Sequence, residues 1–261
     1  MKTLIVGAAG MLGQDVVRVS GGAGLSRAEL DVTDAAAVHE ALAGADLVIN
    51  CAAYTNVDGA EEDADGAMRV NRDGARNVAQ AAQRVVYVST DYVFDGAKRE
   101  PYLESDPTGP LSVYGRSKLD GERATAEANP RHFIARSSWL FGHGGPNFVE
   151  TMLGRGPEVR AVDDQVGCPT FTGHLAEALV ELGQTEDYGI HHMAASGSCS
   201  RFEFTREIFA LAGVDASVEP CKTADFPRPA ARPAYSVLGS ERGRRLPTWQ
   251  EGLQAYLGAR V

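Results

Sequence analysis

Tyr114 and Lys118 stand four residues apart in Tyr114-Gly115-Arg116-Ser117-Lys118, so on a helix the phenol and the ammonium share one face. A phenol titrates near ~10 in water, and a neighbouring cation favours its ionised form, bringing it toward the range where it exchanges protons usefully. Thr90 follows the apolar run Val85–Ser89 and offers a hydroxyl that can fix a carbonyl oxygen beside Tyr114. Lys118 is also long enough to reach a ribose hydroxyl of a bound cofactor.

A second constellation lies at the N-terminus, where Gly7-Ala8-Ala9-Gly10-Met11-Leu12-Gly13 separates an apolar strand from a helix. Glycines at these spacings allow a tight turn and close backbone approach to a pyrophosphate, with the helix N-terminus facing the anion. This predicts a dinucleotide site on Gly7, Gly10, Met11, Leu12 and Gly13. The acidic residue expected about 20 positions on, for a ribose hydroxyl, has no counterpart there. Ser26-Arg27 stands in its place, and two readings are open: a guanidinium for a 2′-phosphate, which points to NADPH over NADH, or a solvated surface arginine. Asp31-Val32 either frames an adenine or, through Asp31, caps the following helix, a role that Thr33 or Asp34 fits better.

These motifs need a frame, and the first half of the chain supplies one by alternating β-branched runs with Ala-rich stretches. Strands are predicted at Thr3–Val6, Leu47–Asn50, Val85–Ser89 and His132–Arg136, and helices at Met11–Val19, Ala35–Leu42, Ala64–Gln83 and Ser117–Ala128. The run Ala23–Ser26 is a stub of a second strand. The fold class is α/β: a doubly wound, Rossmann-type parallel sheet with a smaller C-terminal lobe. Residues 1–145 form the dinucleotide-binding part, with 175–195 returning to the sheet. Residues 146–174 and 196–261 form the substrate lobe, whose scattered Pro and Gly predict loops over the carboxyl ends of the strands.

The balance of 25 Lys and Arg against 35 Asp and Glu gives a net charge of −10, which repels a phosphate backbone and argues against a nucleic-acid partner. No stretch approaches the ~20 apolar residues of a membrane span, so no membrane partner is expected. Gly7 interrupts the opening Met1-Lys2-Thr3-Leu4-Ile5-Val6 run, unlike a signal peptide. Cys51, Cys168, Cys199 and Cys221 form no CxxC pair and read as reduced thiols of a cytoplasmic protein, with no metal site.

In their order the motifs resemble the extended short-chain dehydrogenase/reductases, and within them the dTDP-4-dehydrorhamnose reductase family. The resemblance is carried by Val48-Ile49-Asn50-Cys51-Ala52-Ala53-Tyr54-Thr55-Asn56-Val57-Asp58, Ser89-Thr90-Asp91-Tyr92-Val93-Phe94-Asp95-Gly96, Pro110-Leu111-Ser112-Val113-Tyr114-Gly115, Ser138-Trp139-Leu140-Phe141-Gly142 and Asp164-Gln165-Val166-Gly167-Cys168-Pro169-Thr170. It continues through Arg232-Pro233 and Leu246-Pro247-Thr248-Trp249. It implies Thr90, Tyr114 and Lys118 as the catalytic set, cofactor contacts from Met11, Leu12, Ala52, Ala53 and Tyr54, and sugar-nucleotide contacts from Asp91 and Trp139. It implies hydride transfer from NADPH or NADH to the C4 ketone of dTDP-4-dehydro-β-L-rhamnose, with Tyr114 protonating the oxygen. The shortened second strand and the brevity of the chain depart from the family.

Sugar-nucleotide dehydratases and epimerases share the Tyr-Lys pair, but a dehydratase calls for a carboxylate just after Thr-Asp, where this chain has Tyr92. A non-catalytic NADP-binding regulatory subunit is the reading from another class; the intact Thr90, Tyr114 and Lys118 favour catalysis. Some relatives pair through a metal ion, such as Mg2+, held by acidic residues near the C-terminus, and Glu241 or Glu251 does not by itself make such a site. Monomer and homodimer both remain open.

Arg232, in the family-like Arg-Pro stretch, is expected near the nucleotide diphosphate. Asn147 either caps the helix Phe148–Leu153 or touches the nucleotide. Trp139 is either core or a stacking surface for the pyranose or base. His191 and His192, on opposite faces of a strand Gly189–Ala194, read as structural. Arg242, Arg244 and Arg245 read as a solvated face, and Glu61-Glu62-Asp63 as the acidic first turn of the Ala64 helix.

Overall fold

A computed structural model describes residues 1–156 and 158–259. Its centre is a six-stranded parallel sheet built from β1 (Thr3–Val6), β2 (Ala23–Leu25), β3 (Leu47–Asn50), β4 (Val85–Thr90), β5 (His132–Ser137) and the later strand Gly189–His192. The order across the sheet runs Gly189–His192, β5, β4, β3, β1, β2. Strand order reverses between β1 and β3, and the loops leaving those strands part there to open a crevice.

Side-chain alternation decides what each face carries. Ile5, Leu47, Ile49, Val86 and Phe133 pack with Leu12 and Val16 of α1 (Met11–Ser20) and with Leu175, Leu179 and Leu182 of the Thr172–Gly183 helix. Leu4, Val6, Val48 and Val85 face Val38 and Leu42 from α2 (Ala35–Ala41) and its end, and Val78 of the helix that precedes β4. The sheet is therefore covered on both faces. A separate cluster of Phe141, Val149, Phe204, Trp249, Leu253 and Tyr256 forms the core beside the sheet's carboxyl edge.

The predicted stub pairs its three residues Ala23–Leu25 with Leu4–Val6 at the sheet edge. The helix carrying Tyr114 and Lys118 starts earlier than predicted, at Val113, because Ser112 caps it by accepting from the Gly115 N–H at 3.1 Å. The predicted helix Ala64–Gln83 is interrupted. Ala64–Met68 and Ala75–Ala81 are α-helical, while Arg69–Gly74 is a π-helical segment. Glu61 and Glu62 belong to a separate short helix, Gly59–Glu62, and Asp63 is the N-cap, accepting from Gly66 N–H at 2.9 Å. No helix is long and apolar enough to cross a membrane among the described residues.

Candidate active site

Two cavities occupy the carboxyl edge of the sheet. The larger, about 750 Å3, runs from the Gly7–Gly13 turn past Tyr114 and Lys118. The smaller, about 470 Å3, is lined by Tyr92 with side chains from 148–165 and 201–232. Tyr92 and Arg201 line both.

The glycine turn is shaped by contacts that no side chain could share. Gly7 holds φ +79, and a Cβ there would lie 2.6 Å from the Ala52 backbone N; one on Gly13 would lie 2.3 Å from the Gly7 carbonyl. Helix α1 starts with Gly10 as N-cap and no side chain capping it, so its leading N–H groups remain available to an anion at the cavity wall. The opposite wall is the loop after β3, where Asn50 accepts from Ala52 N–H at 3.1 Å. Cys51, Ala52, Ala53 and Tyr54 line the cavity. Asn71, fully buried in the π segment, accepts from Tyr54 N–H at 2.8 Å and donates to the Tyr54 carbonyl at 3.1 Å. It also donates to Ser117 Oγ at 2.8 Å. One side chain therefore ties the loop after β3 to the helix bearing Tyr114 and Lys118, and π segments of this kind often accompany functional sites.

Thr90 is the last residue of β4, and its hydroxyl, which donates to Asp91 at 3.1 Å, lines the same cavity as the Tyr114 phenol and bears on its titration. The expected tuning of that phenol by Lys118 does not appear. Burial pushes the Tyr114 pKa well up, and the neighbouring Thr90 hydroxyl is the largest opposing influence. The reason is where the ammonium goes: Lys118 Nζ donates to the Val88 carbonyl at 2.8 Å and lies 4.0 Å from the Tyr87 ring centroid. Burial brings the Lys118 pKa down to about 7, against the charge of Glu122. Glu122 is itself buried, accepting from Arg136 at 2.7 and 2.9 Å and from Ser89 Oγ at 2.5 Å.

Asp91 accepts from the hydroxyls of Ser236, Ser138 and Thr90 at 2.5, 3.0 and 3.1 Å. Burial raises its pKa to about 6 despite those bonds. Trp139 lines the larger cavity with its backbone at φ +46, the one positive-φ non-glycine among the described residues. Its ring presses on Gly167, where a Cβ would come within 2.5 Å. Of the other expected contacts, Arg27 and Asp31 are exposed on the rim of the larger cavity and Val32 is buried in its wall. Asp31 accepts from Thr33, whereas Asp34 caps the following helix.

Arg232 lines the smaller cavity and holds Asp58 with two bonds, at 2.7 and 2.8 Å. That pairing takes the Asp58 pKa down to about 2. Asn147 lines neither cavity; it caps the Phe148–Leu153 helix and donates to the Gly142 carbonyl at 2.8 Å. The capping alternative is therefore the observed one, because the carboxamide is spent on backbone groups. Arg201 had no place among the expected site residues; as the first residue of the Arg201–Ala212 helix it carries no local signal.

The family model described as RmlD substrate binding domain matches residues 1–260. The chain belongs to this family. Among proteins of the RmlD kind, a dTDP-4-dehydrorhamnose reductase of Mycolicibacterium smegmatis is 40% identical, covering 100% of this chain and 86% of its own. A probable dTDP-4,6-dihydroxy-2-methyloxan-3-one 4-ketoreductase of Streptomyces antibioticus is 43% identical over 94% of this chain and 88% of the relative. The crystal structure of dTDP-4-dehydrorhamnose reductase from Bacillus anthracis in complex with NADP superposes with a TM-score of 0.95 at 38% identity, covering 99% of this chain and 100% of that one.

Outside the site, His191 and His192 are buried on opposite sides of their strand, one against Phe133 and the other against Phe94. Arg242 and Arg244 pair with Asp187. Among the described residues no three His, Cys, Asp or Glu side chains converge as a metal site. Glu241 accepts from Ser105, and Glu251 completes the capping box of Thr248.

Proposed function

We propose that this protein is an NADPH-dependent reductase converting the C4 ketone of dTDP-4-dehydro-β-L-rhamnose to the alcohol of dTDP-L-rhamnose. The observation that carries the reading is the meeting of two chemically different cavities at Tyr92 and Arg201, with the Thr90–Tyr114 pair on the wall of the glycine-turn side. The glycine-lined cavity suits a dinucleotide: Gly7 and Gly13 leave room only for backbone, and the uncapped start of α1 faces the space. Arg27 on its rim supports a 2′-phosphate, hence NADPH. The arginine-lined cavity, with Phe148 and Phe226 in its wall, suits an anionic nucleotide carrying a flat base.

When bound, the nicotinamide supplies the hydride. The chain's own contribution is position and a proton. Thr90 neighbours the phenol of Tyr114, and the raised pKa keeps that phenol protonated, so it can donate to the oxygen that gains charge during reduction. Lys118 anchors the floor beneath it through Val88 and remains within the cavity wall for a ribose hydroxyl. Trp139, fixed against Gly167, lines the cavity beside the sugar and carries the Arg201 guanidinium on its ring. The residues of 1–145 with 175–195 serve the dinucleotide, and the remaining lobe holds the sugar nucleotide. Four unpaired thiols support a cytoplasmic site of action.

A second reading, reduction of another dTDP-4-keto deoxysugar by the same machinery, is favoured by the likeness to the Streptomyces antibioticus 4-ketoreductase. Steady-state kinetics on both keto sugars test the choice: the proposal expects the larger kcat/KM for dTDP-4-dehydro-β-L-rhamnose, and a larger value for the other sugar replaces it with the second reading.

A further inference from the structure

Five arginines line the smaller cavity: Arg155, Arg160, Arg201, Arg228 and Arg232. Arg228 and Arg232 hold Asp58, and Arg160 holds Asp225. Arg155 is exposed at the edge. Arg201 alone of the five also lines the larger cavity, and unlike Arg160, Arg228 and Arg232 its guanidinium makes no hydrogen bond or ion pair among the described residues. Its carbon lies 3.5 Å from the Trp139 ring centroid and 4.6 Å from that of Phe148. Asp91, whose charge reaches it, is already occupied by three hydroxyls.

A guanidinium has five donors in a planar fork and stays charged at any physiological pH. Stacking on two rings fixes its plane while leaving its edge free, and Trp139 cannot swing away because its strained backbone and Gly167 hold the ring. A half-buried cation with unused donors, standing where two ligand cavities join, is arranged for an anion that spans them. In a sugar nucleotide the diphosphate joins the base-bearing part to the reacting sugar, so it must cross this throat if the base lies in the arginine-lined cavity and the sugar beside Tyr114.

We propose that Arg201, oriented by its stack on Trp139, grips the substrate's diphosphate at the throat between the two cavities and thereby sets how far the sugar reaches toward Tyr114. This rests on the placement of nucleotide and dinucleotide proposed above. Titration of the wild-type protein, Arg201→Met and Arg201→Gln with dTDP, thymidine and NADPH separates the ideas. Loss of a charge-assisted bidentate contact predicts dTDP binding weakened about 10- to 100-fold in Arg201→Met, with thymidine and NADPH affinities within about twofold of wild type. In turnover, KM for the sugar nucleotide should rise more than kcat falls, and the salt dependence of dTDP binding should flatten. Unchanged dTDP affinity in Arg201→Met, or equal losses for dTDP and thymidine, overturns the assignment of Arg201 while leaving the nucleotide cavity standing. Should Arg201→Met fail to bind NADPH, Arg201→Gln, which keeps a polar head without charge, decides on the same criteria. Absence of dTDP binding to the wild type would remove the nucleotide reading itself and this inference with it.

Discussion

Lys118 and Val88 are joined by a 2.8 Å hydrogen bond from the ammonium to the backbone carbonyl, made inside the protein. The ammonium is thus a strut between the Tyr114 helix and the strand that ends in Thr90. Its burial carries a penalty whose pH dependence can be read out. The folded pKa is brought down to about 7 from an ordinary 10.5, so between those values the unfolded chain holds the additional proton, and raising the pH there stabilises the fold. Cys51, pushed up to about 12 from 9.0, acts oppositely once unfolded thiols ionise. The melting temperature of the protein without ligand should therefore rise from pH 7 to about pH 8.5, with a flatter profile in Lys118→Met. Identical slopes in the two proteins would contradict the buried-charge account.

Tyr114→Phe removes the donated proton and leaves the ring in place. Turnover should fall about 100-fold or more, the usual scale of a lost general acid, while NADPH affinity changes little. Thr90→Val, which deletes the neighbouring hydroxyl, should also lower kcat, read in single-turnover oxidation of NADPH, with NADPH affinity little changed. A Tyr114→Phe enzyme with near wild-type kcat would remove the phenol from the chemistry.

Gly7→Ala places a methyl group about where the Ala52 N–H already sits, at a φ that L residues avoid. Strain of this kind costs roughly 1–3 kcal/mol. The variant should melt several degrees lower and lose NADPH affinity by more than about tenfold. Calorimetry and fluorescence titration check the two effects independently.

Arg27 is exposed on the rim of the dinucleotide cavity and is free of tertiary ion pairs among the described residues. If it meets a 2′-phosphate, Arg27→Ala should reduce the ratio of kcat/KM for NADPH over NADH by about 5- to 50-fold, chiefly through KM for NADPH. An unchanged ratio would make Arg27 a solvated surface residue.

What could be read from the chain and what could not divide along one physical line. The glycine turn and the Tyr114/Lys118 pair are local: their spacing fixes their geometry through one helix or one turn, and both line the same cavity in the structure. The parallel sheet followed from the alternation of runs such as Leu47–Asn50 and Val85–Thr90. Arg201, by contrast, gains its place only when the Arg201–Ala212 helix packs beside Trp139 and Phe148, segments more than fifty residues away. Asn71 was hidden for a similar reason, since an Ala-rich stretch gives no sign of the π segment that turns it toward Tyr54 and Ser117. The direction of the Lys118 ammonium was misjudged because helix periodicity places Cβ atoms, not the far end of a four-carbon chain that finds the Val88 carbonyl instead.

The claim on which the rest depends is that a ketone carbon of a bound sugar nucleotide receives hydride beside Tyr114. Incubation with dTDP-4-dehydro-β-L-rhamnose and NADPH deuterated at the transferable position tests it directly. The account predicts one NADPH oxidised per sugar reduced, with deuterium found at C4 of the product. A sugar converted with no net loss of NADPH, or a reduced product lacking deuterium at C4, would contradict it.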